Sequence, residues 1–204
     1  MEKINEQNKL FQTKKDWVCW EMMDDLKTTK FNDEVLFAID TIVKIDKKAI
    51  IDLKQMAKLN KRRRVRLCAH KDIEDSIHEM LIVHEKDCYV RPHMHVNKTE
   101  SFHIIEGTAD VIIFDEDGQI KDIIPMGDYG TGRKFFYRLP HSCYHTLLIQ
   151  SDVLVFHEVT NGPFKQSDTV WASWSPEASD ETAVSQYMEM MRSVVGRKGG
   201  YEND

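Results

Sequence analysis

The sequence predicts an all-β domain, a small antiparallel barrel or sandwich with α-helices at both ends. From Arg64 to about Thr160, apolar residues recur with a period of two in short runs. Turn-forming stretches separate the runs, among them Glu106-Gly107, Asp115-Glu116-Asp117-Gly118, Gly127-Asp128-Tyr129-Gly130 and Gln150-Ser151-Asp152. Alternation of this kind marks strands with one buried face, and many short strands so spaced form a sandwich or barrel. On either side the period changes. Asp46 reads as an N-cap, followed by Ile50, Ile51, Leu53, Met56, Ala57 and Leu59 in a helical stripe. Glu181 to Val195 places Val184, Tyr187, Met188, Met191 and Val194 on one side of a second helix.

Taken in order, residues 1–44 form an N-terminal extension, helical or irregular. Within it, Asp16 to Lys27 carries Trp17, Val18, Trp20, Met22, Met23 and Leu26, a pattern compatible with a short amphipathic helix. Phe31 to Val43 reads equally as a strand or a second helix. Residues 45–176 form the main domain: the Asp46-capped helix, then strands expected near 64–69, 78–85, 88–95, 100–106, 109–115, 120–126, 134–140, 144–150 and 153–160. Past Asn161-Gly162-Pro163-Phe164 the chain becomes irregular. Residues 177–204 hold the C-terminal helix and a tail expected to fray from Lys198-Gly199-Gly200.

Composition narrows the partners. A chain of 204 residues with 41% hydrophobic content and four tryptophans can bury a proper core in one domain with appendages. A formal net charge of −6 argues against a general nucleic-acid binder. The basic run Lys61-Arg62-Arg63-Arg64 reads as a solvated helix end or an anion contact. The four cysteines form no CxxC pair, which suits reduced thiols. The N-terminus lacks the apolar core of a signal peptide, and no stretch approaches the roughly 18 apolar residues of a membrane helix. A cytoplasmic protein with neither membrane nor nucleic-acid partners is the expectation.

The chemistry centres on His93, His95, Glu100 and His145. Histidines at i and i+2 on a strand project from one face, so both imidazoles can reach one ion. Glu100 adds a hard, negatively charged oxygen, and imidazole suits several first-row metals. The expected cofactor is a divalent transition metal: Fe, Mn, Ni, Co or Zn. An HxH pair also arises in ordinary core or surface positions. Here it coincides with Glu100, with Gly107 and with a proline-bounded His145 some fifty residues on, which favours the metal reading. By strand parity Tyr89 and Arg91 share the inward face of His93, provided Pro92 makes no bulge. Glu100, Phe102 and Ile104 face in, and His103 faces out. Arg91 and Arg66 are candidate anion contacts with Tyr89 beside them. Tyr137 and His157 are candidate acid–base groups. Ordinary packing or surface salt bridging is the competing role for each.

The run Pro92-His93-x-His95-x4-Glu100-x6-Gly107 resembles the first cupin motif, and Leu139-Pro140-His141-Ser142-Cys143-Tyr144-His145 resembles the second. Ser142 stands where that motif usually has glycine. A narrower similarity is to the WbuC-type cupin-fold metalloproteins. It is carried by Arg64-x-Arg66-Leu67-Cys68-Ala69-His70, Glu79-Met80-Leu81-Ile82, Tyr89-Val90-Arg91-Pro92-His93, Glu100-Ser101-Phe102-His103, Phe136-Tyr137-Arg138-Leu139-Pro140, Phe156-His157-Glu158 and Asn161-Gly162-Pro163-Phe164. The resemblance implies a jelly-roll barrel (a double-stranded β-helix) with His93, His95, Glu100 and His145 as metal ligands. It implies a link to bacterial surface-polysaccharide (O-antigen) synthesis, and a site more than a reaction. The leading expectation is a metal acting as Lewis acid in an isomerase or epimerase on a sugar-like or anionic small molecule. The alternatives are an Fe(II)-dependent dioxygenase and a non-catalytic sugar-binding or regulatory module. Cupin barrels are often dimeric, and Trp17, Trp20, Met22 and Met23 have no place inside a barrel. A homodimer is therefore expected.

Overall fold

The period-two runs become strands that pass back and forth between two facing sheets. The computed structural model describes residues 26–140 and 142–198. In order, the elements are β1 (Thr28–Lys30), β2 (Val35–Ala38), α1 (Lys47–Leu59), β3 (Arg64–Cys68), β4 (Ile77–Glu85), β5 (His93–His95) and β6 (Glu100–Glu106). They continue with β7 (Thr108–Phe114), β8 (Ile120–Gly127), β9 (Phe136–Leu139), β10 (Tyr144–Ile149), β11 (Val153–Asn161), β12 (Thr169–Trp171) and α2 (Glu181–Lys198). One sheet has seven strands in the order β1-β2-β3-β4-β11-β6-β9, and the other has five, β12-β5-β10-β7-β8. From β4 onward the chain changes sheet at nearly every connection, and the pairings there are antiparallel. This is a jelly roll.

Three apolar layers follow from the alternation. Inward residues of both sheets, including Met80, Ile82, Phe102, Ile104, Val111, Leu147, Leu154 and Phe156, meet between the sheets. The outer face of the seven-stranded sheet, with Leu67, Leu81, Val83 and Val155, packs under α1 through Ala49, Leu53 and Ala57. Asp46 caps α1, its Oδ1 accepting from the Ala49 amide at 2.9 Å. The outer face of the five-stranded sheet, with Ile112, Phe114 and Leu148, packs under α2 through Met188, Met191 and Val195. Among the described residues, no helix is long and apolar enough to cross a membrane.

Three segments differ from the sequence reading or settle it. Val35–Ala38, within the stretch left as strand or helix, is a strand running parallel to β3, so part of the N-terminal extension belongs to the sheet. The run expected at 88–95 forms a strand only at His93–His95. After Glu85 the chain turns, with the Cys88 amide donating to the Glu85 carbonyl at 2.9 Å, and Pro92 has no N–H to give a ladder. The irregular stretch after Phe164 supplies β12, which pairs with β5 and covers its edge. The helix expected from Asp16, the apolar residues Trp17, Trp20, Met22 and Met23, His141, and the tail from Gly199 lie outside the described residues.

Candidate metal centre

The imidazoles of His93, His95 and His145 all come from the five-stranded sheet. β5 carries the first two on one face, and β10 places His145 directly opposite His93. One nitrogen from each ring falls within 4.8 Å of the others, a group that could hold a metal ion. The rings are held from behind. His93 Nδ1 donates to the Arg91 carbonyl at 2.8 Å and His145 Nδ1 to the Cys143 carbonyl at 2.9 Å. His95 Nδ1 lies 3.4 Å from Thr169 Oγ1 on β12. A carbonyl only accepts, so it fixes the proton on Nδ1 and leaves Nε2 as the inward nitrogen of the neutral ring. Such backing is typical of metal-binding histidines.

Glu100 enters from the opposite sheet, on β6. Its Oε1 lies 2.9 Å from His145 Nε2 and its Oε2 lies 3.3 Å from His95 Nε2. Tyr137, the β9 neighbour, donates its hydroxyl to Glu100 Oε1 at 3.0 Å. Glu100 is 4% exposed, His145 3% and Tyr137 8%, so this polar group sits inside the barrel. Burial alone would raise the Glu100 pKa, but the charge and hydrogen bond of His145 and the contacts of His95 hold it well below the ordinary carboxylate range. Burial likewise disfavours a charged His145, yet the Glu100 carboxylate keeps its pKa raised. His93 is pushed down to about 3 by burial first and by His145 next, so its ring stays neutral. Three inward imidazole nitrogens suit a first-row divalent ion, and the Glu100 carboxylate lies against two of them.

The other candidate residues distribute differently. Tyr137 joins the site, and burial with Glu100 beside it raises its hydroxyl pKa well above the usual value. Arg66 on β3 faces the space between the sheets and donates to Met80 Sδ at 3.8 Å. Arg91 and Tyr89 do not follow the parity of His93, because the ladder is broken before it. Arg91 Nε donates to Ser175 Oγ at 3.2 Å and its NH2 to the Ala172 carbonyl at 3.3 Å. Its NH1 pairs with Glu177 at 2.7 Å, and its guanidinium lies over the Trp171 ring. Arg91 thus ties down the segment after β12. Tyr89 donates to the Pro176 carbonyl at 3.0 Å and packs beside Tyr187 of α2 on the outer side. His157 pairs in register with Leu81 and His103, which face α1 and solvent. It therefore lies on the outer face of the seven-stranded sheet, away from Glu100. Each member of the basic run has an acidic partner: Arg62 and Arg64 share Glu34, Arg63 pairs with Glu85 and Lys61 with Glu181.

Two features add to what the sequence suggested. Ser142 adopts φ 61°, the left-handed conformation that suits the usual glycine, and its amide donates to the His95 carbonyl at 2.8 Å. Glu158, which entered the sequence reading only as part of the run Phe156-His157-Glu158 and was given no role there, faces inward between Met80 and Phe102. Burial first, and then the Glu100 charge, raise its pKa to about 7, with Arg66 opposing.

Fold and site together define a jelly roll with a metal-competent group of three histidines. Residues 45–126 match a family described as a domain of unknown function (DUF6016). No curated protein matches the chain. Among solved structures, a variant of Bacillus subtilis oxalate decarboxylase is 22% identical over 48% of this chain and 25% of its own, with a TM-score of 0.39. A Shewanella oneidensis structural-genomics protein is 11% identical over 61% of this chain and 77% of its own, with a TM-score of 0.44. A putative sugar phosphate isomerase from Acidithiobacillus ferrooxidans is 16% identical over 43% of this chain and 51% of its own, with a TM-score of 0.35. The chain thus spans about a quarter of the oxalate decarboxylase.

Proposed function

We propose that this jelly roll is a metal-dependent enzyme acting on a small polar molecule, with His93, His95, Glu100 and His145 holding a divalent transition metal. The observation that carries the reading is the backing of the rings. Carbonyls fix Nδ1 of His93 and His145, and the inward nitrogens converge within 4.8 Å. A core without a ligand would gain nothing from converging imidazoles whose rings are held from behind. When bound, the ion would supply Lewis acidity to a carbonyl or hydroxyl oxygen. Tyr137 keeps its proton at neutral pH and can give it to a developing oxyanion when its hydroxyl turns from the Glu100 carboxylate that accepts it here. Arg66 supplies a cation on the wall between the sheets, where it can orient an anionic group.

The WbuC-type resemblance supports the finer reading, a sugar or sugar nucleotide of surface-polysaccharide synthesis and an isomerase- or epimerase-like proton transfer. The test begins with elemental analysis of protein purified without a chelating tag. About one transition-metal ion per chain is expected in the wild type, and far less in His93→Ala, His95→Ala and His145→Ala. A metal-free wild type that takes up no Mn, Fe, Co, Ni or Zn on dialysis overturns the reading.

A further inference from the structure

Glu158 sits in a row of residues that runs in register across five strands of one sheet: Cys68, Met80, Glu158, Phe102 and Tyr137. The other four are buried. Glu158 retains partial exposure, although β11 is paired on both sides. A strand backbone bonded on both edges has little surface left, so the exposed area belongs to the side chain. The Glu158 side chain is therefore less enclosed than its four neighbours in the row. Among the described residues, Glu158 has neither a hydrogen-bond donor nor an ion-pair partner, yet it interacts electrostatically with Glu100, His145 and Arg66. Arg66 likewise has no carboxylate within salt-bridge distance of its guanidinium among those residues, and its side-chain partner is Met80 Sδ.

A carboxylate and a guanidinium that serve only the fold meet each other, because an inward polar group without a partner costs free energy. These two face the same interior and remain apart. The arrangement presents an acceptor on β11 within electrostatic reach of Glu100, His145 and a cation on β3.

We propose that Glu158 is a specificity-determining residue that accepts a hydrogen bond from a hydroxyl of a small hydroxycarboxylate whose anionic end is held by Arg66 and the metal. This rests on the metal-site reading above, not on its finer sugar-nucleotide form, and names a different substrate class for the same site. An acceptor carboxylate rewards a hydroxyl donor and repels a second anionic group at the same place, so simple carboxylates and dianions are discriminated against.

The experiment is calorimetric titration of the metal-loaded protein at about pH 8.5, above the raised Glu158 pKa, with glycolate and with acetate, on the wild type and on Glu158→Gln. The substitution keeps the shape of the side chain and removes its charge. The wild type should bind glycolate about tenfold more tightly than acetate, the scale of one hydrogen bond to a charged acceptor. In E158Q the ratio should fall below about threefold with metal stoichiometry unchanged. Chelation of the ion by the glycolate hydroxyl would survive in E158Q, so a retained ratio overturns the proposal. So does a metal-loaded wild type that fails to distinguish the two anions, and this result stands even if E158Q does not fold. Loss of metal in E158Q would make Glu158 a ligand and also overturns it. A wild type that holds no metal sinks the metal-site reading itself, a failure that elemental analysis separates from the others.

Discussion

Glu100→Gln is the most informative single change, because it alters charge without altering volume. Glu100 is in contact with His145 at 2.9 Å, Tyr137 at 3.0 Å and His95 at 3.3 Å. The amide keeps one carbonyl oxygen as acceptor and turns an NH2 toward the remaining donors. One buried donor then loses its partner, which costs about 1–3 kcal/mol in the metal-free protein. On the metal side, altering a residue that only supports a ligand costs about 10–100-fold in affinity, so replacing a charged ligand should cost more than about 100-fold. The assay is thermal unfolding with and without added metal. At an ion concentration of about 100 times the wild-type Kd, binding contributes about 2.7 kcal/mol. For a domain of this size that is a rise in Tm of about 5–10 °C. Under the same conditions the variant should gain less than about 2 °C, and its metal-free Tm should lie a few degrees below the wild type. A variant with wild-type metal content and a wild-type shift would refute the assignment of Glu100 as a ligand.

Other outcomes follow from the same geometry. His103→Ala should leave metal content unchanged, because His103 is exposed and pairs with outward His157; loss of metal in elemental analysis would refute the β6 register. Gly107→Ala should destabilise by about 2–4 kcal/mol in denaturant unfolding, since φ is +90° and a Cβ would collide with the Val153 carbonyl oxygen; a change below about 1 kcal/mol would contradict that packing. His84 is held neutral by burial first and by Arg64, Arg66 and Arg62 next, well below the ordinary histidine value. Its contribution is therefore complete above the unfolded pKa of about 6.5 and is lost below it, at up to about 1.4 kcal/mol per pH unit, so His84→Leu should flatten the fall between about pH 6.5 and 5; equal slopes in both proteins would refute this. Light scattering at micromolar concentration should give a homodimer, and the mass of one chain would rule it out.

The strands were legible where alternation was unbroken. Thr108–Phe114 and Tyr144–Ile149 each bury one set of residues between the sheets and the other under α2, so both faces carry apolar side chains while the period of two survives. The Asp46 cap was legible because an N-cap is a local interaction with its own residue signature. Val35–Ala38 was not, since a short parallel strand depends on a neighbour, β3, far along the chain. The HxH spacing located two of the clustered imidazoles because both lie on one strand. Parity failed upstream of Pro92, where a residue that cannot donate to a ladder ends the strand, and the roles of Arg91 and Tyr89 depend on a C-terminal segment whose path no local pattern reveals.

The contrast between His157 and Glu158 shows how a site hides behind a register. Histidine draws attention as a proton carrier because it titrates near neutrality. Yet on β11 the inward positions are Leu154, Phe156 and Glu158, and the outward ones are Val155 and His157. A slip of one residue would exchange the two faces, bringing His157 beside Glu100 and putting Glu158 under solvent. Two adjacent apolar residues fix the observed register. Val155 is committed to the layer beneath α1 and Phe156 to the inter-sheet core, each with less than 2% exposure. Reversing them would bury a histidine in place of an aromatic core residue and expose Phe156, at a cost of about 3 kcal/mol or more. Core packing of two apolar neighbours therefore decides which polar group faces the space between the sheets, and it selects the carboxylate.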